Sequence, residues 1–251
     1  MFKKTYVDDC LSGEVSEELV FQRADELSIV LKRGGFGLKG FTFSGKAPSK
    51  DLSTDGESVT VAGMKWFSEC DELQLDIGPL NFAKKYRGKK VKCADRPGIP
   101  EKLTRRQCVG KVAEIFDLTG RITPITAHMK LDLNVLVKRK LDWDDTIPDD
   151  LRYVWISHFE MIMELGQIRF KRAIVPHDAV NLNINTIDTG DASGSIACVA
   201  IYARFQKKNG EFSCQLVFAR SKILPENITQ PRGELFAANL NAHTGEVVKR
   251  S

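Results

Sequence analysis

Three consecutive segments with strand-like patterns of apolar residues, 180–187, 196–205 and 212–219, restrict the fold of this chain more than any other feature. The first segment alternates apolar and polar residues, which places one set of side chains on each face of a strand. Asn209-Gly210, a pair that favours tight hairpin turns, separates the second segment from the third. We therefore predict three successive β-strands, with a turn at residues 188–193 after the first.

The middle third of the chain has the residue spacing of helices. Thr104 and Gln107 have the spacing of a capping box, and Gly120 supplies a stop signal for the helix that follows. Pro124 and Pro148 can each open a further helix. On the second helix we expect an apolar row to point inward and four cations to face solvent or a backbone phosphate. The row is Ile125, Met129, Leu133, Leu136 and Val137, and the cations are Lys130, Lys138, Arg139 and Lys140.

Two adjacent carboxylates stand near the start of the chain, within Tyr6-Val7-Asp8-Asp9. At a hairpin turn, one carboxylate would face a bound cation and the other would flank it, and Mg²⁺ suits such hard oxygen ligands. A solvated loop is the alternative interpretation. A helix with Ser16 as its N-cap and Gly34-Gly35 at its end follows, and strands are predicted over residues 36–43 and 58–66.

The composition is that of a globular protein, with 42% hydrophobic and 28% charged residues among 251. A formal net charge of +4 permits a polyanionic partner without requiring one. The run 84–92 places six cations around one aromatic residue, which suits contacts with nucleic-acid phosphates; a solvated linker is the alternative. The cations of this run are Lys84, Lys85, Arg87, Lys89, Lys90 and Lys92.

The six cysteines indicate a reducing compartment. They form no C-x-x-C pair and no zinc-like cluster. The first residues lack the apolar core of a signal peptide, and no apolar run approaches the roughly 20 residues of a membrane-spanning helix. We therefore expect a cytoplasmic protein with no membrane partner.

Several ordered blocks resemble the Pol polyprotein of BEL/Pao-type retrotransposons, and together they cover nearly all of the chain. The blocks are Tyr6–Asp9, 35–38, 61–66, 113–120 and 141–144. The resemblance implies an α+β fold class with a partial reverse transcriptase palm, a helical thumb-like region and an incomplete RNase H-like α/β domain. It implies palm and primer-grip strands at 1–82, a basic linker at 83–101, a helical thumb or connection at 102–167, and the RNase H-like part at 168–251.

The resemblance also implies the site residues. Asp8 and Asp9 match the metal-binding motif of the polymerase, and Asp191 matches the acid at the end of the first RNase H-like strand. Residues 229–238 resemble the family's next helix, whose early acid, here Glu234, faces the strand acid across Mg²⁺. Asp8, Asp9, Asp191 and Glu234 are thus the implied catalytic and metal-binding residues.

A second interpretation takes Asp188-Thr189-Gly190 as the signature of an aspartic peptidase, a label that part of this polyprotein family carries. A retroviral-type peptidase usually has Ala or Ser after this triad. Asp191 stands there instead, and its like charge would further perturb a carboxylate dyad. The sequence also shows no glycine-rich flap after the triad.

The parent activity implied by the resemblance is RNA-directed DNA synthesis with degradation of the RNA strand of the hybrid, through two-Mg²⁺ phosphoryl transfer. The upstream palm Asp and the later RNase H-like acids have no counterpart here, so we expect little catalysis and at most a nucleic-acid surface. Its candidate residues are the cations of 84–92 with Arg105, Arg106 and Lys111.

The implied partners are an RNA/DNA template-primer or hybrid and the remainder of the Pol polyprotein. Apolar surface exposed near Asp8 would favour oligomerisation. A non-catalytic, host-retained binding module, in which the carboxylates are inert loop residues, is the remaining alternative.

Overall fold

The computed structural model describes residues 5–6, 9–14, 16–53, 55–77, 80, 82 and 98–250. The chain divides into two compact units, Met1–Asp76 with Arg169–Arg172, and Ile77–Ile168 with Ala173–Ser251. The described residues form helices and antiparallel sheets, which confirms the predicted α+β fold class. The helical region 102–167 and most of 168–251, predicted as separate domains, belong to one compact unit.

The first unit begins with two short strands and a helix. Strands β1 (Thr5–Tyr6) and β2 (Asp9–Cys10) pair antiparallel, with Tyr6 opposite Asp9. Helix α1 (Glu17–Arg33) has the predicted N-cap, because the Ser16 hydroxyl accepts a hydrogen bond from the Leu19 N–H at 3.4 Å. The helix ends at Gly34, as predicted.

The sheet of the first unit differs from the prediction in two places. Its strand order is β3 (Val59–Val61), β4 (Met64–Phe67), β5 (Glu72–Leu75) and β6 (Arg169–Lys171). The single strand predicted over 58–66 is wrong, because Ala62 and Gly63 have positive φ angles and turn the chain between β3 and β4. The strand predicted over 36–43 is also wrong, since no strand forms there. Its aromatic rings instead cluster with α1, with Phe43 5.0 Å from Phe21 between ring centroids.

Three helices open the second unit. Helix α2 (Arg105–Glu114) has the predicted capping box between Thr104 and Gln107. Helix α3 (Thr123–Lys138) has Pro124 in its first turn, close to the predicted start, and α4 (Asp149–Leu165) follows Pro148 as predicted. Helix α2 ends six residues before its predicted stop at Gly120.

The inward-facing apolar row predicted for α3 is confirmed for two of its residues and wrong for a third. Met129 and Leu136 are fully buried, whereas Val137 is 52% exposed and does not point inward. No helix within the described ranges combines the length and the apolar character needed to cross a membrane.

The sheet of the second unit is a meander of β7 (Asn185–Ser193), β8 (Ile196–Gln206) and β9 (Phe212–Ile223). Strand β7 starts five residues later than predicted and pairs with β8 up to Ser193. The turn predicted at 188–193 is therefore wrong, and the strand continues through those residues to a turn at Gly194 and Ser195.

Helix α5 (Gln230–Arg250) packs on one face of this meander. The odd-numbered residues of β8 from Ala197 to Phe205 are buried, in agreement with a strand that turns one face to a helix. The core between sheet and helix consists of Ala192, Ala197, Val199, Leu224, Ala237 and Leu240. Three of these six residues are alanines, whose small side chains let the helix approach the sheet closely.

Replacement of Gly120 by alanine should destabilise the second unit. Gly120 has φ +74°, and a Cβ there would lie 1.8 Å from the carbonyl oxygen of Ala219 on β9. Gly210→Ala is the matched control, since φ is +87° and no atom lies within 4 Å of an added Cβ. We expect Gly120→Ala to lower the free energy of unfolding by about 2 kcal/mol more than Gly210→Ala, measured by urea denaturation. Equal losses would show that the contact with Ala219 is absent in solution.

The Asp71 carboxylate should make the first unit sensitive to acid. It accepts hydrogen bonds from Arg172 at 2.6 and 3.0 Å and from the Trp66 indole at 3.0 Å. Partial burial raises the pKa of Asp71, but the bonds from Arg172 and Trp66 outweigh this and hold the pKa below its ordinary value. Because the folded-state pKa is lowered, the stabilisation exists above the unfolded-state pKa and disappears as the pH falls through the folded-state pKa.

The measurement is the stability of wild type and Asp71→Asn at several pH values, followed through the Trp66 indole N–H signal in NMR spectra. We expect Asp71→Asn to be about 1–2 kcal/mol less stable at pH 7. The difference should shrink below about pH 4. A difference that does not change with pH would contradict the proposed charge dependence.

Candidate metal centre

Asp191 lies near the end of β7, the edge strand of the meander. Its carboxylate Oδ1 accepts a hydrogen bond from the Ala192 N–H at 2.8 Å. The Ala192 carbonyl accepts a hydrogen bond from the Gln230 side chain at 3.1 Å. Both main-chain groups of Ala192 thus bond to side chains instead of to β8, so they point to the edge of the sheet.

Gln230, the first residue of α5, links this edge to Glu234. Its Nε2 atom donates to the Ala192 carbonyl and to Oε1 of Glu234, each at 3.1 Å. Gln230 and Glu234 are one helical turn apart, which allows their side chains to meet. Asp191 thus accepts a hydrogen bond from the Ala192 N–H, and Glu234 is linked to the Ala192 carbonyl through Gln230.

Both carboxylates are exposed, and within the described ranges neither forms an ion pair with a lysine or arginine. Asp188, three residues earlier on the same strand, is different, since its Oδ2 atom lies 3.1 Å from Nζ of Lys249. Exposed carboxylates without a cationic partner keep their negative charge available to an external cation.

The donor set fits Mg²⁺ as an ion that keeps much of its water. Two carboxylates provide the hard oxygen ligands that Mg²⁺ takes, and phosphate oxygens and water supply the rest in many such sites. Among the residues that the structure describes, no three or more His, Cys, Asp or Glu side chains form a group that could hold a metal ion. The residues around Ala192 thus include two candidate ligands, Asp191 and Glu234.

A lysine of α3 lies over the sheet face opposite α5. Gly190 and Ala192 of β7 point to α5, so Asp191, between them, belongs to the other face. On that face Lys130 Nζ lies 3.5 Å from the Ser221 hydroxyl. Burial raises the pKa of the Cys198 thiol; Lys130 acts to lower it and Asp191 to raise it. One cation and one acid therefore both act on the same thiol.

The predicted polymerase residues lie in the first compact unit. Asp9 is in β2, opposite Tyr6, and Asp8 lies outside the described residues. The metal-binding roles of both stay predictions.

The predicted nucleic-acid surface is described only in part. Lys84, Lys85, Arg87, Lys89, Lys90 and Lys92 lie outside the described residues. Arg105 and Arg106 both approach the half-exposed ring of Trp143, at 4.8 and 5.5 Å from its centroid. Arg106 also binds both carboxylate oxygens of Asp144, which raises the pKa of Arg106.

Lys111 does not fit a nucleic-acid surface. It is 6% exposed, its Nζ lies 2.6 Å from Oε2 of Glu114, and it lies 5.3 Å from the ring centroid of Phe82. A cation in such a position stabilises the fold and is not available to an external phosphate.

The triad Asp188-Thr189-Gly190 lies inside β7 and pairs with β8 from Ile201 to Val199. Asp188 is held by Lys249, and a Cβ at Gly190 would lie 2.9 Å from Cβ of Asn241 on α5. These contacts give the triad a structural role between the strand and the helix.

Gln230 makes contacts that no motif in the sequence predicts. Its only sequence signal is the four-residue spacing to Glu234, which is common on any helix surface. The contact with Ala192 spans 38 positions and depends on where α5 packs.

An antiparallel three-stranded meander followed by a helix, with one acid on the first strand and one near the start of the helix, is consistent with an RNase H-like domain. The family model of the Pao retrotransposon-like RNaseH-like domain matches residues 104–251, which is more than half of the chain. The chain therefore belongs to this family, and its predicted relationship to BEL/Pao Pol polyproteins is confirmed. No curated protein matches the chain.

The match also includes the three helices α2, α3 and α4. It starts at residue 104, so the palm assigned to 1–82 and the basic linker assigned to 83–101 stay predictions.

Removal of the Lys111 charge should affect stability and leave nucleic-acid binding unchanged. We expect Lys111→Met to lower the free energy of unfolding by about 1–3 kcal/mol, because Glu114 loses its cationic partner. Lys102→Met, which removes an exposed cation ahead of α2, is the control and should leave stability unchanged. Urea denaturation measures stability, and fluorescence anisotropy measures affinity for an RNA–DNA hybrid. A weaker hybrid affinity at unchanged stability would contradict this assignment of Lys111.

Proposed function

We propose that the chain is part of a retrotransposon Pol polyprotein that binds an RNA–DNA hybrid and takes part in hydrolysis of its RNA strand. The observation that carries this proposal is the Gln230 bridge, which joins Glu234 to Ala192 directly beside Asp191. Metal-assisted phosphodiester hydrolysis needs acidic side chains from separate elements at one place. Strand β7 and helix α5 contribute one acid each, and the Ala192 main chain and Gln230 link the two elements at this point.

The protein's own part in this chemistry is to orient the two acids. The Ala192 N–H holds Asp191, and the neutral Gln230 amide holds Glu234 without cancelling its charge. Mg²⁺, when bound there, supplies charge stabilisation at the attacking and leaving oxygens. With two protein ligands we expect weak Mg²⁺ binding and little hydrolysis by the isolated chain.

RNA-directed DNA synthesis belongs to the proposed parent polyprotein. It depends on the resemblance of Tyr6–Asp9 to the polymerase motif, and the antiparallel pairing of Tyr6 with Asp9 supports it. The remainder of that polyprotein and a template-primer are the proposed partners. Exposed apolar side chains of the first unit, such as Ile29 at 53% and Phe36 at 69%, support self-association of the isolated chain.

Titration of the full chain with Mn²⁺, used as a paramagnetic substitute for Mg²⁺, tests the proposed metal site. The amide signals of Ala192 and Glu234 should broaden at the lowest Mn²⁺ concentrations. Asp191→Asn and Glu234→Gln should each weaken this binding at least about ten-fold. Gln230→Leu, which keeps both charges, should weaken it by about the same order because Glu234 loses its orienting contact.

Asp188→Asn is the matched control for Asp191→Asn, since Asp188 lies on the same strand and already has Lys249 as its partner. It should leave Mn²⁺ binding unchanged. Equal broadening in wild type and Asp191→Asn would reject the metal site. If such a chain still bound the hybrid, it would be a non-catalytic binding module.

A further inference from the structure

We propose that Lys130 and Lys138 of α3 bind backbone phosphates of the nucleic-acid strand that passes the Asp191–Glu234 edge, so that α3 forms one wall of the substrate groove. This inference deepens the proposed function and rests on it for the direction of the strand. It assigns a nucleic-acid contact to helix α3.

Paired residues on three neighbouring strands form a row that connects Asp191 with Lys130 across the sheet. Asp191 of β7 is the Cα partner of Cys198 on β8, and Cys198 is the partner of Ser221 on β9. Lys130 lies at the far end of this row, 3.5 Å from the Ser221 hydroxyl. Neighbouring strands are about 4.8 Å apart, so the row spans about 10 Å between its outer Cα atoms. This is about three nucleotide steps along one strand of a duplex, at about 3.4 Å each.

The charge of Lys130 is suited to an anionic ligand. The side chain is partly buried over the sheet, and in the part of the chain that the structure describes no carboxylate lies within ion-pair distance of it. Its contact with Ser221 is at the upper limit of hydrogen-bond length and does not neutralise the ammonium group. A phosphate that reaches Lys130 would therefore gain a charge-assisted bond without displacing a protein partner.

A cleft continues the same path along α3. It has a volume of about 380 Å³ and is lined by Asn134 and Lys138 of α3, the turn residues Gly194 and Ser195, and Leu224 and Glu226. Lys130, Asn134 and Lys138 are spaced by four residues and so follow one side of the helix. The turn at Gly194 begins three residues after Asp191, which places the cleft next to the proposed metal site.

Lys138 can exchange its present partner for a phosphate. It lies 2.9 Å from Oε1 of Glu226, but both side chains are more than 60% exposed. Exposed ion pairs contribute little free energy, so a phosphate can compete with Glu226. The floor of the cleft is held in place by the hydrogen bond from the Leu224 N–H to the Ser195 carbonyl at 2.8 Å. Asn134 and Lys138 supply the cleft with an amide and an ammonium group that can bind a phosphate, and apolar side chains such as Leu131, Val135 and Ile223 line the rest of it.

The test is the affinity of the full chain for a short RNA–DNA hybrid in EDTA, measured by fluorescence anisotropy over a range of salt concentrations. Omission of the metal separates this site from the Asp191–Glu234 edge. We expect Lys130→Gln/Lys138→Gln to weaken binding on the order of ten-fold at low salt. The slope of log affinity against log salt should fall in magnitude by about two.

Two further variants make the result specific. Lys222→Gln removes a cation next to Ser221 that points to the opposite face of β9, and it should bind like wild type. Lys130→Arg/Lys138→Arg keeps both charges and should restore affinity. Thermal unfolding checks that all variants are folded.

Wild-type affinity and salt slope in the Lys130→Gln/Lys138→Gln variant would overturn the inference, as would a wild-type chain that binds no hybrid. Failure of the proposed metal site has a different signature. In that case Mn²⁺ does not distinguish wild type from Asp191→Asn, while the two lysines still control hybrid affinity. If Lys130→Gln/Lys138→Gln weakens binding of single-stranded RNA by the same factor as binding of the hybrid, the ligand of the groove is a single strand.

Discussion

The close approach of α5 to β7 is the contact on which the site depends. A Cβ at Gly190 would lie 2.9 Å from Cβ of Asn241, and a Cβ at Gly245 would lie 2.6 Å from Oδ2 of Asp188. Side chains at these two positions would push the helix away from the strand. Because Gln230 is the first residue of the same helix, its contact with the Ala192 carbonyl requires this short distance. The position of Glu234 thus depends on close packing at Gly190 of the strand and at Gly245 of the helix.

The polar contacts around the edge divide the acids of this region into two kinds. Asp188 is partly buried against α5 and is paired with Lys249, which makes it part of the scaffold. Asp191 and Glu234 are exposed and are held by a main-chain N–H and a neutral amide, which leave their negative charge available. Two acids only three residues apart on one strand therefore have different roles, because alternate side chains of a strand point to opposite faces.

Local sequence signals predicted the elements that depend on neighbouring residues. The N-cap of α1 at Ser16, the capping box of α2 and Pro124 in the first turn of α3 each act within one helical turn. Local sequence patterns gave wrong predictions where contacts with distant residues determine the structure of a segment. The strand expected over 36–43 is replaced by aromatic packing with Phe21, and the turn expected at 188–193 is replaced by pairing with β8. Lys111, which was expected on an exposed nucleic-acid surface, is buried beside Glu114.

The sequence by itself determined the class of the chain. The order of strand patterns and the motifs around Asp191 and Glu234 are properties of neighbouring residues, and they were sufficient to indicate a retrotransposon RNase H-like domain. Only the tertiary structure decided which groups meet. The contact between Gln230 and Ala192 and the position of Lys130 over Ser221 join residues 38 and 91 positions apart. No local pattern encodes such distances, because they arise when helices pack on a sheet whose register is already set by strand pairing.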